Sequence, residues 1–174
     1  VPHEVRGTAD LGSRYMTVVA QNSRMGDKTL QEWPLIGTHN SVSNEGQVSA
    51  VRKIWNAMSS PWRICQKKGV LEQLTAGARF LDVRPYISGF KDETPVINFH
   101  HNGFTNGAYD MNDLVADITG FVRENPGEIV AVYFGHAVSA ENVKFPVDGE
   151  EIKDEVDALF VATKYFTENI PKNT

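Results

Sequence analysis

The chain has 174 residues, 41% of them hydrophobic and 22% charged, which is an ordinary globular composition with length enough for one domain and its own core. A formal net charge of -5, with no basic run, argues against a nucleic-acid partner. The single cysteine, Cys65, excludes an internal disulfide and reads as a small buried hydrophobe.

In chain order, the first apolar run is Trp33 to Thr38 ("WPLIGT"), a short strand that ends at "HN". Gln47 to Met58 follows with Val48, Val51, Ile54, Trp55 and Met58 at helical spacing. Lys68 to Ala76 is helical in pattern, Gly77 is its stop, and Ala78 to Val83 is a second strand in which Asp82 and the following Arg84 project to one face. "TPVINFHH" reads as a third strand. Met111 to Glu124 predicts a helix, with Leu114, Val115, Ile118, Phe121 and Val122 on one face and Asp110 as N-cap. Glu128 to Phe134 is a near-continuous β-branched and aromatic run, the pattern of a strand covered on both faces. A last helix is expected from near Gly149 to past Phe160. The segments "YISGFKDET" and "NGFTNGAYD" read as loops, and there is no internal repeat.

Strands alternating with helices predict a parallel sheet, and in such sheets ligands gather at the carboxyl ends of the strands. His39 and Asn40 end the first strand, Asp82 and Arg84 the second, and His100 and His101 the third, while His136 follows the fourth. Four of the five histidines therefore fall at strand ends of one polarity, and we read them as an active site. Two imidazoles and a guanidinium suit a reaction at phosphorus: one imidazole takes a proton from an attacking hydroxyl, the other returns one to the leaving oxygen, and Arg84 holds the phosphate oxygens. Asp82 would orient Arg84 or a histidine. Two blander readings stand beside this one, a structural Asp82–Arg84 ion pair and a metal site built from His100, His101 and Asp82; the second lacks the clustered carboxylates that calcium needs. His136 and Asn40 fit a structural role better than the other positions do. With no Lys-bearing glycine-rich phosphate loop, nucleotide-dependent phosphoryl transfer is not expected.

The blocks "LIGTHNS", "CQKKGVLEQLTAGARFLDVRP", "NFHHNGF" and "ENPGEIVAVYF", in that order, resemble the X region of the phosphatidylinositol-specific phospholipase C superfamily over about Trp33 to Phe134. The resemblance implies a TIM-type α/β barrel in which His39 is the general base on the inositol 2-hydroxyl. It also implies that the histidine of "HHNG", His101 with His100 as the alternative, protonates the departing diacylglycerol. Asp82 followed by Arg84 is similar to the bacterial metal-independent type, which implies no cofactor and no metal. Asn40 stands where that type has Asp, and Gly135 and His136 stand where it has a lysine contacting inositol. We place His100 and His136 on the substrate.

The partners so implied are a phospholipid or glycolipid headgroup and a membrane surface, met peripherally. Trp62, Phe90 and Phe104 are candidate bilayer contacts, with core packing the commoner role for each. A non-catalytic lipid- or headgroup-binding module is the alternative. Eight strand–helix units take roughly 250 residues, and four are legible here. We therefore expect residues 31–174 to form about the N-terminal half of a barrel, with a companion chain or missing segment completing it. Residues 1–30 are expected to be an extension that adds a strand or closing element. No apolar stretch reaches the roughly 18 to 20 residues of a membrane span. The first residue is Val1 rather than Met, which fits removal of an upstream segment and secretion.

Overall fold

The parallel strands occupy the C-terminal parts of three apolar runs. Leu81 and Val83 alternate inward on β2 (Phe80–Val83), so β2 buries one face while Phe80 and Asp82 take the other. β1 (Gly37–Thr38) and β6 (Ala131–Phe134) flank it in parallel, with Gly37 opposite Phe80 and Asp82 opposite Tyr133. The computed structural model describes residues 12–43, 65–101, 104–106 and 109–172. The helix expected over Gln47 to Met58 lies outside them, as does Trp62.

A second sheet has four strands, the middle two antiparallel to each other. It corrects the sequence reading in two places. "YISGFK" is not loop but most of β3 (Pro85–Lys91), which turns through Asp92 and Glu93, both at positive φ, into β4 (Thr94–His101). "TPVINFHH" is thus a strand as expected, but antiparallel to β3 and outside the parallel sheet. The reason is local. A two-residue turn joins strands into a hairpin, whereas a parallel neighbour needs a long crossover. The fourth expected strand, β6, consequently pairs directly with β2. β5 (Phe104–Asn106) pairs antiparallel with β4, which places strand within "NGFTNGAYD" as well, and β7 (Val138–Ser139) runs parallel to β3.

Four helices complete the described fold. α1 (Tyr15–Asn22) lies in the N-terminal extension and is followed by two 3-10 turns, the second at Leu30–Glu32, and β1 is shorter than "WPLIGT". α2 (Val70–Thr75) packs Val70 and Leu74 against α3 (Met111–Glu124). α3 matches its expectation at both ends: Asp110 accepts from the N–H groups of Asn112 and Asp113, and Met111, Leu114, Ile118 and Phe121 are buried. α4 (Glu155–Asn169) starts six residues later than Gly149. A turn closed by Phe145 and Glu150, with Gly149 at φ 74, occupies the intervening chain, and Asp154 is the actual cap.

Among the described residues, the face of the parallel sheet that carries Phe80 and Tyr133 is left partly exposed. There Phe80 and Tyr133 stack with ring centroids 6.4 Å apart, and Tyr133 is 53% exposed. Phe90, by contrast, packs against the core.

Candidate active site

The "THNS" segment leaves β1 as a tight turn held by buried polar side chains. Ser41 N–H donates to the Asp82 carbonyl at 2.8 Å, and its Oγ accepts from Asp82 N–H at 3.0 Å. The buried Gln73 amide donates to the Ser41 carbonyl, and the Gln66 amide to the His39 carbonyl, each at 2.7 Å. Asn40 sits at φ 47, a left-handed conformation that Asn adopts more readily than most residues, and it is fully buried. Neither glutamine stands out in the sequence, because single glutamines carry no spacing signal.

This turn carries His39 to the end of β2. His39 Nδ1–H donates to Asp82 Oδ2 at 2.7 Å, and Asn40 N–H donates to the same oxygen at 3.2 Å. The Asn40 amide donates to His39 Nε2 at 3.1 Å. The carboxylate thereby fixes the tautomer, leaving the Nε2 lone pair as the basic position. His39 is mostly exposed and Asp82 mostly buried, which is the arrangement of a reactive ring on a fixed support.

The Asn40 amide also donates to Cys65 Sγ at 3.5 Å, and Cys65 Sγ lies 3.8 Å from both ring nitrogens of His101. One connected group thus contains His39, Asp82, Asn40, Cys65 and His101. Cys65 was read from sequence as packing. Its thiol instead bridges two of the candidate residues, and nothing in a lone cysteine's context signals that.

Arg84 and His100 belong to a different cleft. Asp82 and Arg84 do share a face by alternation, but the chain leaves the parallel sheet after Val83, which pairs with Phe134, and enters the second sheet at Pro85. Asp82 and Arg84 form no ion pair, and among the described residues Arg84 has none at all. Arg84 lines a cleft of about 540 Å³ with His100, His136, Lys153, Asp154 and Glu155, whereas His39 and Asp82 face a shallower groove of about 490 Å³ beside Phe80 and Tyr133. The structural ion-pair reading is therefore corrected.

His100 N–H donates to the Arg84 carbonyl at 3.0 Å, and its ring Nε2–H donates to the His136 carbonyl at 2.7 Å. Burial depresses the His100 pKa; the His136 carbonyl pulls it up, and the charges of Arg84 and His136 push it further down. Its Nδ1 and Arg84 Nε are both buried without a hydrogen-bond partner. His136 holds φ 50 just after β6. At the neighbouring Gly135, a Cβ would come within 2.6 Å of the Tyr133 ring, so a larger residue there requires Tyr133 to move. Among the described residues no group of three or more His, Cys, Asp or Glu is arranged to hold a metal ion.

Comparison with solved structures bears on the fold. Two structures of phosphatidylinositol-specific phospholipase C from Staphylococcus aureus superpose on 94% of this chain with TM-scores of 0.67 and 0.64, each at 19% identity. The fold is that of the bacterial phosphatidylinositol-specific phospholipases C. The chain spans only 45% of each of those two phospholipase C structures. The second comes from work on the modulation of that protein's membrane binding. The corresponding phospholipase C from Listeria monocytogenes aligns over 62% of this chain at 23% identity and TM-score 0.47. No protein-family model matches the chain, and no curated protein matches it in sequence.

Proposed function

We propose that this chain is part of a phosphodiesterase that cleaves the phosphodiester of phosphatidylinositol, or of a related lipid or glycolipid, at a membrane surface. The observation that carries the reading is His39 held by Asp82 through Nδ1, with Nε2 as the basic nitrogen. Nε2 takes the proton from an attacking inositol hydroxyl once the Asn40 amide gives way to that hydroxyl. The oxygen attacks phosphorus, the bond to the diacylglycerol oxygen breaks, and His101 supplies the leaving oxygen's proton. Arg84 balances charge on the phosphate oxygens, and His100 and His136 contact the headgroup. No helix among the described residues is long and apolar enough to cross a membrane, and a secreted protein meeting the bilayer from outside fits the scheme.

The stacked Phe80 and Tyr133 are, in this reading, lining for the inside of a TIM-type barrel of which residues 31–174 supply about half. Its other strands come from further sequence or a companion chain. The partly exposed sheet face and the 45% span support this. A folded monomer of this chain alone, by light scattering, would rule it out.

The decisive assay is inositol phosphate release from phosphatidylinositol vesicles by the intact protein with EDTA present. Loss of product in His39→Ala and in Arg84→Ala, with folding retained, establishes the mechanism. A second reading, a headgroup-binding module without turnover, is favoured by the Asn40 amide already on His39 Nε2 and by Arg84 lying in a separate cleft. It predicts headgroup binding without product.

A further inference from the structure

The 540 Å³ cleft contains a cation that the sequence reading did not include. Lys153 lies two residues before α4, and three hydrogen bonds fix that stretch of backbone. Lys153 N–H donates to Asp157 Oδ2 at 3.1 Å. Ser139 Oγ–H donates to the Ile152 carbonyl at 3.0 Å, and Ile152 N–H donates to the Val143 carbonyl at 2.9 Å. Ile152 itself is buried in the core. The lysine therefore projects from a segment anchored to both β7 and α4, and among the described residues its ammonium has no ion pair.

Arg84 lines the same cleft, among the described residues it too has no ion pair, and its Nε, like His100 Nδ1, is buried without a hydrogen-bond partner. A buried polar atom left without a partner costs free energy, so the Arg84 and His100 side chains are less fully satisfied than those of a structural cluster. The cleft also carries Asp154 and Glu155. Asp154 is engaged, because its Oδ1 accepts from the N–H groups of Val156 and Asp157. Glu155 has no such engagement among the described residues. Two cations and two carboxylates give the lining no net formal charge, with His100 held toward its neutral form. Such a cleft discriminates against a bare anion and suits a molecule that carries an anionic group and hydroxyl donors together.

We propose that Lys153 is a second anion-binding residue of the Arg84 cleft and a determinant of headgroup specificity, the ligand being a phosphorylated polyol. Its phosphate lies between Lys153 and Arg84, and its hydroxyls donate to Glu155. This rests on the phosphodiesterase reading only for the cleft's use in turnover; binding stands by itself.

The test is calorimetric titration of the intact protein with inorganic phosphate and, separately, with myo-inositol 1-phosphate. Tighter binding of the inositol phosphate is expected. Lys153→Ala should weaken both ligands by about ten-fold, the loss of one charge-assisted hydrogen bond, and Lys153→Arg should restore most of it. Glu155→Gln should weaken only the inositol phosphate. Lys164→Ala, on the exposed side of α4 where it pairs with Glu168, is the control and should change nothing. Wild-type affinity in Lys153→Ala, or no binding of either ligand to the wild type, overturns the proposal. Equal binding of the two ligands overturns the polyol part. A protein that binds as predicted yet releases no inositol phosphate from vesicles leaves Lys153 in place and removes the phosphodiesterase reading. Turnover that is untouched by Lys153→Ala, with binding untouched as well, removes Lys153 alone.

Discussion

Two charged clusters flank β2, one before it and one after it, and they use the same kinds of side chain in opposite ways. Before β2, Arg79 is completely buried. Its Nε donates to Glu128 at 2.8 Å, and its terminal nitrogens donate to the carbonyls of Leu74, Ala78, Gly12 and Ser13, with the guanidinium carbon 4.7 Å from the Phe121 ring centroid. Glu128 in turn accepts from the N–H groups of Met16 and Thr17, which ties α1 to the bottom of the sheet. After β2, His39 is 64% exposed, and Arg84 and His100 keep buried atoms without partners. A buried charge that is fully satisfied holds structure together. A polar atom left unsatisfied at a cleft is poised for a ligand.

The comparison breaks most severely at Arg79. Arg79→Ala leaves Glu128 buried without its cation and should cost about 3 to 5 kcal/mol in denaturant unfolding, the usual penalty for removing one partner of a buried pair. If the cost were under about 1 kcal/mol, the cluster would not be the structural half of the contrast.

Acid tests the same cluster. Burial by itself would raise the Glu128 pKa, but the N–H groups of Thr17 and Met16 and the Arg79 guanidinium outweigh it and hold the pKa below its ordinary 4.5. Because the folded value lies below the unfolded one, the carboxylate's contribution is complete above pH 4.5 and is lost as pH falls through the folded value. Hydrogen exchange should show α1 losing protection in that window. Glu128→Gln should remove the dependence.

Smaller effects sharpen the contrast. Asp110→Ala deletes the α3 cap and should cost about 1 kcal/mol. His39→Ala should shift stability by less than about 0.5 kcal/mol, as an exposed side chain does. The same variant should lower phosphodiesterase activity by about 10²- to 10⁴-fold, the range for a general base. A large stability loss in His39→Ala would turn the site cluster into a second structural one. The smallest effect belongs to His100. Its pKa lies below the ordinary 6.5, so the unfolded chain binds the proton more readily and stability falls as pH drops below 6.5. His100→Gln should flatten that slope.

Where one segment carried its own boundaries, the fold was legible in sequence. α3 combines an N-cap, a 3.6-residue apolar stripe and a stop at Asn125, and it forms as read. β3 was missed because Gly89, Lys91 and Asp92 look like turn residues, whereas the strand is specified by its partner: Ile87 pairs with Ile97, and both are buried. The docking of α1 was not legible either, since Met16 is buried by a helix that packs on a glutamate 112 residues away.

Within the site, the strand-end histidines and Asp82 could be picked out individually, because polar residues at the ends of apolar runs stand out. Their sorting into two clefts was not legible. That depends on β2 and β3 belonging to different sheets, which no local pattern records. Cys65, Gln73 and Lys153 were unreadable for the same reason, each being an ordinary residue made relevant by what it touches.

The sequence by itself determined the alternation that buries Leu81 and Val83, the cap at Asp110, and the His, Asp and Arg types placed at strand ends, since these rest on periodicity and short-range hydrogen bonds. Only the tertiary structure decided that His39 pairs with Asp82 rather than Arg84 doing so, that Lys153 shares a cleft with Arg84, and that Arg79 is satisfied at the opposite end of β2. Those outcomes follow from which sheet each strand joins, a choice made by long-range pairing.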